Sequence, residues 1–185
     1  QQLQSSPAYV LILRNGLEKL MKPITKKEMF SELNSLQWDT KKYEARVKDI
    51  QNKKARHNLC FDEKAQEADL LNKKGTIIAY KDVPIAKNIL DAISKLIGKK
   101  GKNLVVEGNK YYDIQDTGIG YHGDAERRKV VAWRLGENMS LHYQWFIRSM
   151  PIGKNIKFTV NGGDIYLMSE TAVGTNWLKT STVPT

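Results

Sequence analysis

The sequence predicts an α+β protein that is mostly β: a β-sandwich or jelly roll with two N-terminal helices packed on one face. Three observations carry that expectation. Two amphipathic stretches with helix-start signals fall within residues 1–102. From residue 103 the chain turns to short apolar runs punctuated by Gly118, Gly120, Gly136, Gly153 and Asn161-Gly162-Gly163. No internal repeat replaces this order. The 185 residues fit a single domain, with a helical and basic extension over 1–102 and a jelly-roll core over 103–185.

Residues 8–13 read as a short buried strand, and Arg14-Asn15-Gly16 as a turn. Thr25-Lys26-Lys27-Glu28 is a capping box, in which the Thr oxygen accepts an early amide and Glu28 reaches back. The helix it opens carries Met29, Phe30, Leu33 and Leu36 on one stripe and is expected to end near Trp38-Asp39. The stretch 40–56 holds Lys41, Lys42, Arg46, Lys48, Lys53, Lys54 and Arg56 and reads as an exposed loop or a frayed helix. Residues 77–80 read as a strand. Asp82-Val83-Pro84 starts a second helix, with Pro where no amide donor is needed. Its apolar face is Ile85, Ile89, Ala92, Ile93 and Leu96, and Gly98 ends it. Strands are then expected at 103–107, 109–113, 129–135, 140–148, 155–160 and 164–168.

Thirty Lys and Arg against twenty Asp and Glu give a formal charge of +10. That excess points to a polyanionic partner, nucleic acid first and an anionic membrane surface second, with simple solubility as the bland alternative. A 41% hydrophobic content argues against wholesale disorder. No apolar run approaches the roughly 18–20 residues needed to cross a bilayer. One cysteine, Cys60, cannot form an internal disulfide; this fits an intracellular protein (cytoplasm or nucleus), and Leu59-Cys60-Phe61 reads as a buried, inert thiol. The chain opens on Gln1-Gln2 rather than Met and is expected to be a fragment. A monomer is expected.

The sharpest local feature is Gly118-Ile119-Gly120-Tyr121-His122-Gly123-Asp124-Ala125-Glu126-Arg127. If extended, it aims His122, Asp124 and Glu126 at one side. An imidazole and a carboxylate two residues apart can then reach one metal ion, as in the facial triad of two His and one carboxylate that holds non-haem Fe(II). A bare His-x-Asp also occurs as two exposed polar residues in a glycine-rich loop. The run Arg127-Arg128-Lys129 adjoins it and offers phosphate contacts. No Walker A pattern, zinc-type Cys pairing or Gly-x-Ser-x-Gly elbow is present. His142 and the aromatics Tyr143, Trp145 and Phe146 read as a core strand, and His57 as a surface residue.

Taken in order, Asn109-Lys110-Tyr111, Gly118-x-Gly120-x-His122-x-Asp124-x-Glu126-Arg127, Gly163-Asp164-Ile165-Tyr166-Leu167-Met168 and Trp177 resemble the AlkB family of Fe(II)- and 2-oxoglutarate-dependent nucleic-acid dioxygenases. The resemblance runs over roughly residues 8–185. It implies a double-stranded β-helix, a jelly-roll variant. It implies His122 and Asp124 as iron ligands, Asn109 and Tyr111 as contacts to 2-oxoglutarate, and Glu126 beside the target base. The implied reaction oxidises an N-alkyl group on a flipped base. Two features depart from the family. Lys179 stands where the family has its second His ligand, and no Arg-x-Asn-x-x-x-x-x-Arg strand appears by Thr185. The third ligand and the anchoring arginines are expected beyond residue 185. The rival reading is a nucleic-acid-binding module that has lost the iron chemistry. An oxygenase of the same chemistry acting on 5-methylpyrimidine or protein is a third.

Overall fold

The computed structural model describes residues 5–177 and 184–185. Strand outweighs helix, 33% against 23%, so the fold is α+β and mostly β. In chain order the elements begin with β1 (Val10–Leu13), α1 (Gly16–Met21), α2 (Lys26–Asn34), β2 (Lys41–Glu44), β3 (Asp49–Asn52) and β4 (His57–Asp62). They continue with β5 (Ile77–Ala79), α3 (Pro84–Ile97), β6 (Val106–Lys110), β7 (Val130–Trp133), β8 (Met139–Ile147), β9 (Met150–Val160), β10 (Ile165–Met168) and α4 (Glu170–Val173). The chain divides into two compact units. One comprises the chain up to Lys19 together with Gly120 onward, and the other runs Leu20–Ile119.

In the unit built from both ends of the chain, β10 is the centre of an antiparallel sheet ordered β1-β10-β7. Val10 pairs with Met168, and Ile165 with both Leu13 and Trp133. The core here includes Leu17, Val160, Ile165 and Val173. Beside β10, the buried Asp164 carboxylate accepts from the Arg14 guanidinium at 2.6 Å and from the amides of Asn15 and Asn161, each at 2.9 Å. This accounts for a polar residue inside: each oxygen is satisfied. The second sheet is the hairpin β8–β9. Its two-residue turn, Arg148-Ser149, has positive φ at both positions (49° and 65°), the backbone that matches the right-handed strand twist. Phe146 of β8 also exchanges two backbone hydrogen bonds with Thr185, 3.0 and 3.1 Å.

In the unit Leu20–Ile119, β4 pairs parallel with β5 and antiparallel with β6. Leu59 and Phe61 of β4 form a core with Tyr80 and with Val83, Ala86 and Leu90 at and within α3, flanked by Leu33 and Leu36. Both expected helices therefore feed one core. The capping box of α2 is present, with both reciprocal Thr25–Glu28 bonds formed. The carboxylate of Glu32, on α2, caps α3 by accepting from the amides of Ile85 and Ala86, each at 2.8 Å.

Several local expectations are corrected. The α2 helix stops at Asn34, and Trp38 lies beyond it with its indole N–H donating to the Leu33 carbonyl. The basic stretch 40–56 is mainly an antiparallel hairpin, β2–β3, in which Tyr43 faces Ile50 across the strands and Lys48 adopts the positive φ the turn requires. Residues 103–113 hold one strand, β6, rather than two. Cys60 is exposed: β4 alternates, so burying Leu59 and Phe61 turns Cys60 outward. His142 is likewise exposed on β8. Four separate sheets are present among the described residues, and none of them closes into a barrel.

Candidate metal site

His122, Asp124, Glu126 and the adjoining cations Arg127, Arg128 and Lys129 fall in the unit built from both chain ends. They do not form a strand. Residues 117–124 lie outside any helix or strand, and Asp124 to Arg127 then close a turn in which the Arg127 amide donates to the Asp124 carbonyl at 3.1 Å. The expected alternation through Glu126 is therefore corrected: Glu126 sits within the turn and is exposed. The physical reason lies in the glycines and their anchors. Gly123 packs against Gly174 and Trp177, where a Cβ would collide with the Gly174 carbonyl and the Trp177 Cβ. The Asp124 amide donates to the carbonyl of Val173, at the end of α4, at 3.1 Å. The loop is thus stitched to the α4 terminus rather than to a neighbouring strand.

His122 and Asp124 nonetheless converge. The imidazole Nε2 is 3.6 Å from Asp124 Oδ1. The other ring nitrogen, Nδ1, lies 2.8 Å from the Gly120 carbonyl. A carbonyl can only accept, so Nδ1 carries a hydrogen, and the neutral ring presents a lone pair at Nε2. That lone pair and a carboxylate oxygen then face one another. A proton on Nε2 or a cation held by both atoms removes the repulsion between them. Metal–ligand bonds of about 2.1 Å reach both atoms from one point, since 3.6 Å is less than twice that length. A backbone carbonyl that fixes the tautomer is also the usual support for a metal-bound His. These two side chains therefore fit an Fe(II) ion as part of its donor set. Among the described residues no group of three His, Cys, Asp or Glu comes together. Lys179 lies outside the described residues.

The second Asp124 oxygen is also engaged: Oδ2 lies 3.4 Å from Arg127 Nη1. The Arg127 carbonyl accepts from the Thr175 hydroxyl at 2.5 Å. Arg128 and Lys129, next along the chain, are exposed. An aromatic chain runs nearby in the same unit, with Phe146 edge-on to both Tyr121 and Trp177 at centroid distances of 5.6 and 5.2 Å.

Asn109 and Tyr111 belong to the unit Leu20–Ile119. Asn109 lies on β6 and Tyr111 directly follows that strand. The Asn109 side-chain oxygen accepts from Arg56 Nε at 2.6 Å and from Asn58 Nδ2 at 2.5 Å. His57, between those two donors in sequence, stacks on Tyr112 with centroids 4.2 Å apart. Burial, with help from Lys110 and Lys53, pushes the His57 pKa down and favours the neutral ring.

Sequence reasoning missed the α4 terminus as the support of the loop. A signal was available: Ser169 five residues before Gly174 is an N-cap and C′ pair for a one-turn helix, and both roles are realised.

Over 181 residues the chain is 40% identical to an uncharacterized protein, R156, of Acanthamoeba polyphaga mimivirus; the alignment covers 96% of this chain and 67% of the relative. The chain belongs to the family of that viral protein. No family model matches the sequence. No solved structure matches it either. Membership in the mimivirus protein's family therefore stands on extended sequence identity. Among the described residues no helix is long and apolar enough to cross a membrane.

Proposed function

We propose that this protein is an Fe(II)- and 2-oxoglutarate-dependent oxygenase of AlkB type, which demethylates or hydroxylates modified bases in nucleic acid. The observation that carries the reading is the 3.6 Å approach of His122 Nε2 to Asp124 Oδ1, with Nδ1 committed to the Gly120 carbonyl. In this reading His122 and Asp124 are two of three protein ligands, and the third comes from residues outside the described set. Asn109 and Tyr111 contact 2-oxoglutarate, and the β-rich unit around the His-x-Asp loop belongs to a double-stranded β-helix. The chemistry that such a centre supplies is hydroxylation of a C–H bond, with succinate and carbon dioxide as coproducts.

The chain's own residues orient and bind. Gly120 holds the His122 tautomer, and the α4 terminus holds Asp124. Glu126 approaches the target base, and Arg127, Arg128 and Lys129 favour a phosphate backbone near the loop. The charge of +10 supports the same class of partner. The reading places an intracellular, monomeric protein in contact with DNA or RNA. The direct test supplies full-length protein with Fe(II), 2-oxoglutarate and an N-methylated oligonucleotide. Succinate that depends on the oligonucleotide and disappears in His122→Ala supports the proposal, and no succinate formation sinks it.

The second reading, a nucleic-acid-binding module without catalysis, is favoured by Lys179 at the family's His position. It expects oligonucleotide binding that is indifferent to Fe(II) and to His122→Ala.

A further inference from the structure

Each oxygen of Asp124 has a different neighbour. Oδ1 faces His122 Nε2 at 3.6 Å, and Oδ2 lies 3.4 Å from Arg127 Nη1. The backbone of Arg127 is held on both sides. Its amide donates to the Asp124 carbonyl at 3.1 Å, and its carbonyl accepts from Thr175 Oγ1 at 2.5 Å. Thr175 directly follows Gly174, which ends α4 in the left-handed conformation at φ 74°. The same terminus takes the Asp124 amide through the Val173 carbonyl. The α4 terminus therefore holds the main chain of both Asp124 and Arg127, the two residues whose side chains meet at 3.4 Å.

We infer that Arg127, tethered by Thr175, is a positioning residue: it engages Oδ2 of Asp124 and leaves Oδ1 alone to bind the metal beside His122. This rests on the reading of His122 and Asp124 as metal ligands. A carboxylate free on both oxygens can chelate one ion through both and take two coordination positions. With Oδ2 hydrogen-bonded, it takes one and leaves the other for a cosubstrate. Partners of ligating carboxylates commonly govern affinity in this way, and losing one typically costs 10- to 100-fold. The guanidinium also repels a dication. It is 47% exposed, so water and salt screen that repulsion.

The test uses the full-length protein titrated with Co(II) alone, in physiological salt. Two readouts apply: the dissociation constant, and the visible d–d absorption, whose intensity falls as coordination number rises. Wild type, Arg127→Ala, Arg127→Lys and Thr175→Val are compared, each checked for an unchanged thermal unfolding transition. The expected result is an affinity about tenfold weaker in Arg127→Ala, with a weaker d–d band as Asp124 becomes bidentate. Arg127→Lys, which keeps a donor, recovers the wild-type band. Thr175→Val shifts both readouts in the direction of Arg127→Ala. If wild type and Arg127→Ala bind Co(II) with the same constant and the same spectrum, the positioning role is overturned while the metal site stands. If wild type binds no Co(II), the metal site itself falls.

Discussion

Asp164 and Arg14, 150 residues apart in sequence, meet at 2.6 Å beside β10. The carboxylate is 2% exposed and also accepts from the amides of Asn15 and Asn161. Burial pushes its pKa up, but those two amides and the guanidinium outweigh it, so the group titrates below the ordinary Asp range. A depressed carboxylate contributes stability that is complete above its unfolded pKa, about 3.9, and is lost as pH falls through the folded value. Asp164→Asn leaves a half-exposed Arg14 rather than a buried charge, and is expected to lower the unfolding free energy near neutral pH by about 1.5–3 kcal/mol. The gap from wild type should be constant between about pH 5 and 7 and narrow below about pH 4. Denaturant unfolding at stepped pH measures it. A gap that stays constant down to pH 2 contradicts this account.

Glu32 caps a helix from another helix. Both of its carboxylate oxygens accept amides of the first turn of α3, where the N-cap residue Val83 offers no side-chain acceptor. The negative charge also sits at the positive end of the helix dipole. Glu32→Ala should destabilise the unit Leu20–Ile119 by about 1–2 kcal/mol, and Glu32→Gln by less, because an amide oxygen still accepts. Urea melts followed by far-UV circular dichroism distinguish the two. Equal losses would show that packing, not capping, sets the effect.

Gly123→Ala tests the seat of the candidate metal loop. The new Cβ would overlap the Gly174 carbonyl and Trp177 Cβ, both on the segment that supports the loop. Relief requires the loop to move away from the α4 terminus, at a cost of about 1–3 kcal/mol. The expected outcome is a lower melting temperature together with loss of divalent-metal binding. Gly120→Ala, where a Cβ would meet open space, should leave the melting temperature nearly unchanged.

The sequence was most legible where one local rule decided the outcome. The Thr25–Glu28 box and Pro84 at the start of α3 are settled within one helical turn, and both are realised. Alternation on β4 was equally readable. At Cys60 that alternation rules out a buried thiol: the apolar neighbours Leu59 and Phe61 claim the inner face and force the thiol outward. The basic hairpin β2–β3 is hidden because its cross-strand pair, Tyr43 and Ile50, is a contact between residues separated by a turn, and the four cations Lys41, Lys42, Arg46 and Lys48 mask the pattern. At the candidate site, proximity of His122 to Asp124 was expected from their spacing and is present, but for a different reason. A strand would have aligned them by pleat; here the Val173 carbonyl and the Gly123–Gly174 approach hold the loop. Those contacts join positions about fifty residues apart, and no local pattern announces them.

Arg128 and Lys129 give the last prediction, on the polyanion. Both are exposed, and both directly follow the Asp124–Arg127 turn. If each neutralises one phosphate, each releases about one counterion on binding, and the slope of log affinity against log salt drops by about 0.7–0.9 per contact removed, the lower figure for a single strand. Arg128→Gln with Lys129→Gln should therefore reduce the slope by about 1.4–1.8, whatever the oligonucleotide sequence. Lys64→Gln, an exposed cation in the loop after β4, removes charge without touching this turn and should leave the slope unchanged. Fluorescence anisotropy across a salt series on a labelled oligonucleotide reads both numbers. A slope change from Lys64→Gln equal to half that of the pair, the same per charge removed, would mean that diffuse net charge, rather than a rim beside the His-x-Asp loop, attracts the nucleic acid.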